Sequence, residues 1–266
     1  MTKKLKTALK YILQIIGLRM TIQSVKYRGD LELIKLGSEY GGWSVINHPS
    51  LFDSWVVSAG AGEDISFDVA MVNFFKAKVV LVDPTPRAVD HYNKVASRFG
   101  KAGERPHEVG GRQEPESYEL TNCSRENLLL VSQALWNDQT ELQFYKPKNR
   151  EHVSHSINNF QNRYKNDGEH IIVSANTLKN IMEEVNVSEK ISLLKLDIEG
   201  AEHEVIESML SDQIRPKQLL VEYDELRTFS TQGRARVQRT HRSLLGNGYQ
   251  LLHCDDGYNF LYYREN

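Results

Sequence analysis

The feature that most constrains this chain is an alternation. Most of its short apolar runs end in glycine or an acid, and most are followed by a stretch with helical spacing. The runs are SWVVSAG (54–60), KVVLVD (78–83), ENLLLVSQAL (126–135), ISLLKLD (191–197) and QLLVEYD (218–224). Between them lie DISFDVAMVNFF (64–75), the span 87–99, TLKNIMEEV (177–185) and AEHEVIESML (201–210), which read as helices. Runs that are apolar at nearly every position are buried on both faces, and such strands belong to parallel sheets covered by helices. Pro84 and Pro86 end the second strand, because proline cannot continue a ladder.

The tail breaks the pattern. YQLLHC and YNFLYY, joined by Asp255-Asp256-Gly257, read as an antiparallel hairpin. The expected fold is therefore α/β: a doubly wound, Rossmann-like sheet of seven mostly parallel strands, ending in an antiparallel hairpin, with helices on both faces. GGWSVI (41–46) is expected as a short preliminary strand, TELQFY (140–145) as a small solvent-facing strand and HIIVSAN (170–176) as another short one. Residues 100–122 and 146–168 read as polar loops, the first carrying Gly100, Gly103, Pro106, Gly110, Gly111 and Pro115.

A chain of 266 residues accommodates one such domain plus a small extension. We assign residues 1–34 to an N-terminal helix and connector and 35–266 to the domain. The N-terminal helix is amphipathic: Leu5, Leu9, Ile12 and Ile16 share a face, with Lys3, Lys4, Lys6 and Lys10 around them. It is expected to pack on the domain, the alternative being weak contact with a membrane surface through residues 1–20. No apolar run approaches the ~20 residues that span a bilayer. The two cysteines, Cys123 and Cys254, have no paired spacing. Together these point to a cytoplasmic protein. A net charge of −2 supplies no general attraction for nucleic acid, and none is expected as a partner.

The first strand runs into Ser58-Ala59-Gly60-Ala61-Gly62-Glu63-Asp64, at the carboxyl end where doubly wound folds bind ligands. Glycine lets backbone approach a ligand closely. Asp83 ends the next strand, where an acid accepts hydrogen bonds from ribose hydroxyls. A nucleoside ligand follows. A dinucleotide fingerprint would place a third glycine where Ile65 stands, and Glu63 and Asp64 would face the pyrophosphate. A ligand carrying a sulfonium and an ammonium, and no phosphate, turns that repulsion into attraction, which favours S-adenosylmethionine over a nicotinamide dinucleotide. The alternative duty for Glu63 and Asp64 is to cap the following helix.

LLKLDIEGAEHEVIESML (193–210) resembles the signature of the FkbM-type methyltransferases, a branch of the class I S-adenosylmethionine-dependent enzymes. The resemblance continues in SAGAGEDISFD (58–68), VDPTPRA (82–88), QALWNDQTELQFYKP (133–147) and HVSHSI (152–157), and spans roughly residues 35 to 265. It implies methyl transfer, most often to an oxygen of a sugar or polyketide-like acceptor. By the same resemblance Ser58, Gly60, Ala61, Gly62, Glu63 and Asp64 form the bend around the methionine part. Asp83 and Pro84 take the ribose side, Ala134 and Leu135 flank the adenine, and Asp197 sits beside the sulfonium and the acceptor. The chain departs from the common pattern at Val56-Val57-Ser58, where many class I enzymes carry an acid for the methionine ammonium.

A hydroxyl acceptor must lose its proton as the methyl arrives. The candidate bases are Asp197, Glu199, His152 and His155; the histidines lie in a polar loop and titrate in the useful range. Glu202 is expected to hydrogen-bond backbone amides instead. Nothing in the spacing demands a metal, and none is expected. Arg227, Arg234, Arg236, Arg239 and Arg242 form a basic stretch, read as a solvated helix face, with an anionic acceptor or an oligomer contact as the sharper reading. The leading expectation is O-methylation of a glycan or hydroxylated small molecule. The alternatives are a nitrogen or protein acceptor, or a degenerate nucleoside-binding module without activity.

Overall fold

A computed structural model of the chain describes residues 28–145, 170–187, 190–227 and 230–265. Its centre is a seven-stranded sheet in the order β11-β12-β10-β9-β3-β4-β5. The strands are β3 (Trp55–Ala59), β4 (Lys78–Val82), β5 (Leu128–Val131), β9 (Ile191–Leu196), β10 (Gln218–Glu222), β11 (Gln250–Asp255) and β12 (Asn259–Tyr263). The first five pair in parallel. β12 pairs antiparallel with β10, and β11 antiparallel with β12. The chain lays down β3, β4 and β5 in one direction, then returns to place β9 on the other side of β3. The strand order therefore reverses between β3 and β9.

Both faces of the sheet are packed. On one, Val56, Val79, Leu81 and Leu193 meet Phe67, Met71 and Phe75 of α1 (Ser66–Phe75) and Tyr92 and Val95 of α2 (Pro86–Ala96). On the other, Val57, Val80, Leu194 and Leu196 meet α3 (Leu178–Glu184), α4 (Glu202–Ser211) and α5 (Thr231–Gly246) through Ile181, Val205, Met209, Val237 and Leu244. Neighbouring strand residues divide between the two clusters, because successive side chains point to opposite faces. Local chemistry sets the helix starts. Thr85, Thr177 and Ser230 each accept a hydrogen bond from a backbone amide of the first turn, and Pro86 opens α2.

Three features differ from the sequence expectation. An unexpected strand, β1 (Leu33–Leu36), pairs antiparallel with β2 (Trp43–Ile46) and straddles the boundary drawn at residue 34. The run 126–135 is not one strand. After β5 the chain breaks and β6 (Ala134–Leu135) joins a separate sheet in the order β6-β8-β7, with β7 (Thr140–Tyr145) and β8 (His170–Asn176). A local apolar run cannot report which sheet each half joins. The segment 100–122 is not a merely exposed loop, since Tyr118, Leu120 and Gln113 are buried in it. Tyr118 Oη accepts a hydrogen bond from Ile65 N at 3.2 Å and lies 2.9 Å from His91 Nε2. Two apolar side chains are enough to draw a polar segment onto the core. The expected N-terminal helix lies outside the described residues. Among the described residues no helix is long and apolar enough to cross a membrane.

Candidate active site

A cavity of about 940 Å³ opens at the carboxyl ends of β3, β4 and β9. Open α/β sheets bind their ligands there, outside the strand ends at the point of reversal. At its centre Gly60 has φ 86°, and a Cβ on it would collide with the carbonyl oxygen of Asp197. Asp197 N donates to Ala59 O at 3.1 Å, so the glycine bend and the end of β9 are in direct contact. Gly62 faces the other way, onto open space that a side chain would fill.

Asp83 holds the bend in shape. Its Oδ2 accepts from Ala61 N and Gly62 N, both at 3.0 Å, and its Oδ1 from Thr85 N at 2.8 Å and Thr85 Oγ1 at 2.7 Å. A carboxylate has about four lone-pair sites, and all are filled. Asp83 thus organises the bend, a duty the sequence reading did not foresee, while it also lines the cavity. Ser58 is wholly buried in β3 beside Asp68 and is not among the residues that line the cavity. Gly60, Ala61, Gly62, Glu63, Asp64, Pro84, Ala134, Leu135, Asp197 and Glu199 do line the cavity, as does the edge of Asp83. His152 and His155 lie outside the described residues.

The two acids after the bend are both engaged within the chain, Glu63 by cations and Asp64 by hydrogen bonds. Glu63 pairs with Arg87, and its other oxygen lies 3.7 Å from Arg112 Nε. Asp64 lies just before α1, with Oδ1 accepting from Ser66 N at 3.0 Å and Oδ2 from Ser38 Oγ at 2.6 Å. The charge argument against a phosphate ligand is thus weaker than the sequence implied. What sequence reading missed is the pair of arginines, which arrive from α2 and from the 100–122 segment.

After β9 the chain turns through Glu199 at φ 55° and Gly200 at φ 102°. Glu202 ties this turn to α4: its carboxyl group accepts from Ile198 N at 2.9 Å and Gly200 N at 3.0 Å, as expected of a structural acid. Opposite Glu199 lies Asp224, whose carboxyl is held well above the usual carboxylate range by burial and by the facing Glu199. Arg227 pairs with Glu222, and its Nε lies 3.2 Å from Asp224 Oδ1. Its guanidinium also stacks 4.2 Å from the ring centre of Tyr258. Arg236 pairs with Glu204 at 2.8 Å and Glu225 at 3.4 Å. Both arginines thus have acid partners within the chain.

Three further wall residues escaped the sequence reading. Tyr40 stands exposed at the cavity mouth, its ring against Gly111, where partial desolvation together with the charge of Asp197 raises its pKa. Phe144 continues the apolar wall of Ala134 and Leu135. Lys195 enters from beneath, 5% exposed, with Nζ 3.6 Å from Asp197 Oδ2. A lysine inside an otherwise apolar strand was the available signal, since buried charge requires partners. Among the described residues no cluster of acid, histidine and cysteine groups is arranged to hold a metal ion.

Fold and site together define an α/β protein with a large ligand-sized cavity at the reversal point of a parallel sheet. The chain belongs to the FkbM methyltransferase family, whose domain model matches residues 61–251. A comparison with curated proteins returns no match. Among solved structures, the chain is similar to a ribosomal protein L11 methylase from Lactobacillus delbrueckii subsp. bulgaricus, at 10% identity and a TM-score of 0.37 over 96% of this chain and 77% of that one. It is also similar to a fibrillarin pre-rRNA processing protein from Methanococcus jannaschii, at 12% identity and a TM-score of 0.40 over 92% and 87%. Likenesses this distant carry no argument about substrate.

Proposed function

We propose that the chain uses S-adenosylmethionine to methylate a hydroxyl group of a glycan or another hydroxylated small molecule. The observation that carries this reading is the meeting of the glycine bend with Asp197 at the floor of one cavity, in a chain of a methyltransferase family. The residues present suit the donor. Gly60, Ala61 and Gly62 offer backbone to its methionine part, Asp197 offers a carboxylate to the sulfonium, and Ala134, Leu135 and Phe144 offer an apolar slot to the adenine. Asp83 and Glu63 are the acids that the cavity offers on the ribose side. The cavity, at about 940 Å³, sits at the upper end of ordinary ligand pockets and leaves room for an acceptor beside the donor.

When bound, the donor supplies an electrophilic methyl carbon on a good leaving group. The protein's work is to align the acceptor, exclude water and receive a proton. Asp197 and Glu199 stand at the end of β9 where an acceptor hydroxyl would lie. Glu199 takes the proton, while Asp224 opposite it fixes the Glu199 carboxylate in place. Asp197 orients donor and acceptor.

Titration calorimetry with S-adenosylmethionine tests the donor; absence of saturable binding to folded protein would falsify the reading. Labelling cell extract with isotopic methyl donor, followed by mass spectrometry, then identifies the acceptor atom. Label on nitrogen or on protein would replace the oxygen assignment. No label with wild type, and no difference from Asp197→Ala, would point to a binding module without activity.

A further inference from the structure

Lys195 is a buried cation for which the chemistry above has no task. Its side chain is 5% exposed, although lysine ordinarily carries its charge out to water. Here the ammonium is aimed inward. Nζ donates to the carbonyl of Gly60 at 2.9 Å, lies 3.6 Å from Asp197 Oδ2 and sits 5.5 Å from the ring centre of Trp43. The strand register places Lys195 opposite Ser58, so the ammonium reaches along β3 to the glycine bend. Asp68 of α1 lies beneath and shares the same field. One side chain thus bridges the two walls that meet at the sheet's reversal point.

We propose that Lys195 is the positioning residue of the donor pocket: its ammonium ties the Gly60 carbonyl to the Asp197 carboxylate and offsets the charge of that carboxylate. This rests on the reading of the cavity as a methyl-donor site. Two consequences follow. Without the tether both walls loosen, so any nucleoside of this shape binds less well. Without the cation Asp197 is unbalanced, so the pocket turns more negative and prefers a sulfonium over a neutral thioether. A lysine that only filled space would give the first effect at most.

The test is calorimetry on the full chain with S-adenosylmethionine and its demethylated product, S-adenosylhomocysteine, which differ at the sulfur by one methyl and one charge. For Lys195→Met, product affinity is expected to fall at least about 10-fold, as for loss of a charge-assisted contact. The affinity ratio is expected to shift toward the donor by about 3-fold or more, as an unscreened nearby charge requires. Adding Asp197→Asn to Lys195→Met removes the carboxylate whose charge the lysine offset and should abolish the shift toward the donor; a shift that persists overturns the proposal. Unchanged affinities in folded Lys195→Met overturn the proposal, and so does an equal loss for both ligands. Should Lys195→Met fail to fold, Lys195→Arg keeps the cation and must keep the wild-type ratio within about 2-fold, a far smaller change than loss of the charge produces; a shifted ratio there overturns it as well. Wild type binding neither ligand sinks the donor-site reading itself, and is seen before any variant is made.

Discussion

At the scale of single residues the site stores both strain and unfavourable charge. Glu199 is an L-residue held at φ 55°, a conformation that costs a side chain roughly 1 kcal/mol and glycine almost nothing. Glu199→Gly is therefore expected to be more stable than Glu199→Ala by about 1 kcal/mol in urea melts, with methyl transfer impaired in both. Equal stability would mean that the turn relaxes in the variants. Asp68 is fully enclosed, and burial raises its carboxyl to about 6, with Lys195 pulling the other way. Because the folded pKa lies above the unfolded value, the native state binds the extra proton between about pH 4 and pH 6, and stability falls as pH rises through that window. Asp68→Asn removes that penalty. Relative to wild type it should gain up to about 3 kcal/mol at pH 8 and little at pH 4. A gain of the same size at both values would show that the carboxyl does not titrate there.

At the scale of elements, the glycine bend is not a free loop but a stapled one. Four hydrogen bonds accepted by Asp83 join it to the end of β4 and the start of α2. Asp83→Ala leaves buried amides without acceptors and should cost about 3 kcal/mol of stability. It should also weaken donor binding about 10-fold or more through the bend alone, at the level of one lost charge-assisted contact. Urea melts and calorimetry check the two together, and intact binding in a destabilised variant would separate the bend from the site. This element shows why the site was only partly legible. Glycine, alanine and acid in sequence identify a bend that meets a ligand. Whether Asp83 points at that ligand or back at the bend depends on where Ala61 N and Thr85 N end up, and the linear chain carries no record of that. Arg87 and Arg112 escaped for the same reason. Nothing near Glu63 in sequence announces its partners, which come from α2 and from a polar segment pulled inward by Tyr118 and Leu120.

At the scale of the whole molecule, ligand binding and folding are linked. At a donor concentration 100 times Kd, binding only to the native state stabilises it by about 2.7 kcal/mol. For a chain of this size that is a rise in Tm of roughly 5–10 °C. Thermal scans with S-adenosylmethionine, and with NADH as the control, should show the rise for the first ligand alone. A rise with NADH instead would return the cavity to a dinucleotide. The sequence by itself determined the order and kind of most elements, because apolar periodicity and capping residues act over a few neighbours. Five parallel strands, the terminal hairpin, the glycine bend and the acids after β9 were all readable in that way. The tertiary structure alone decided which strand pairs with which, that β6 leaves the main sheet, and that β1 exists. It also decided that Lys195 and Asp197 of β9 close on Gly60 of β3. Those contacts join residues more than a hundred positions apart, and their energy comes from burial and charge pairing that exist only once the sheet has assembled.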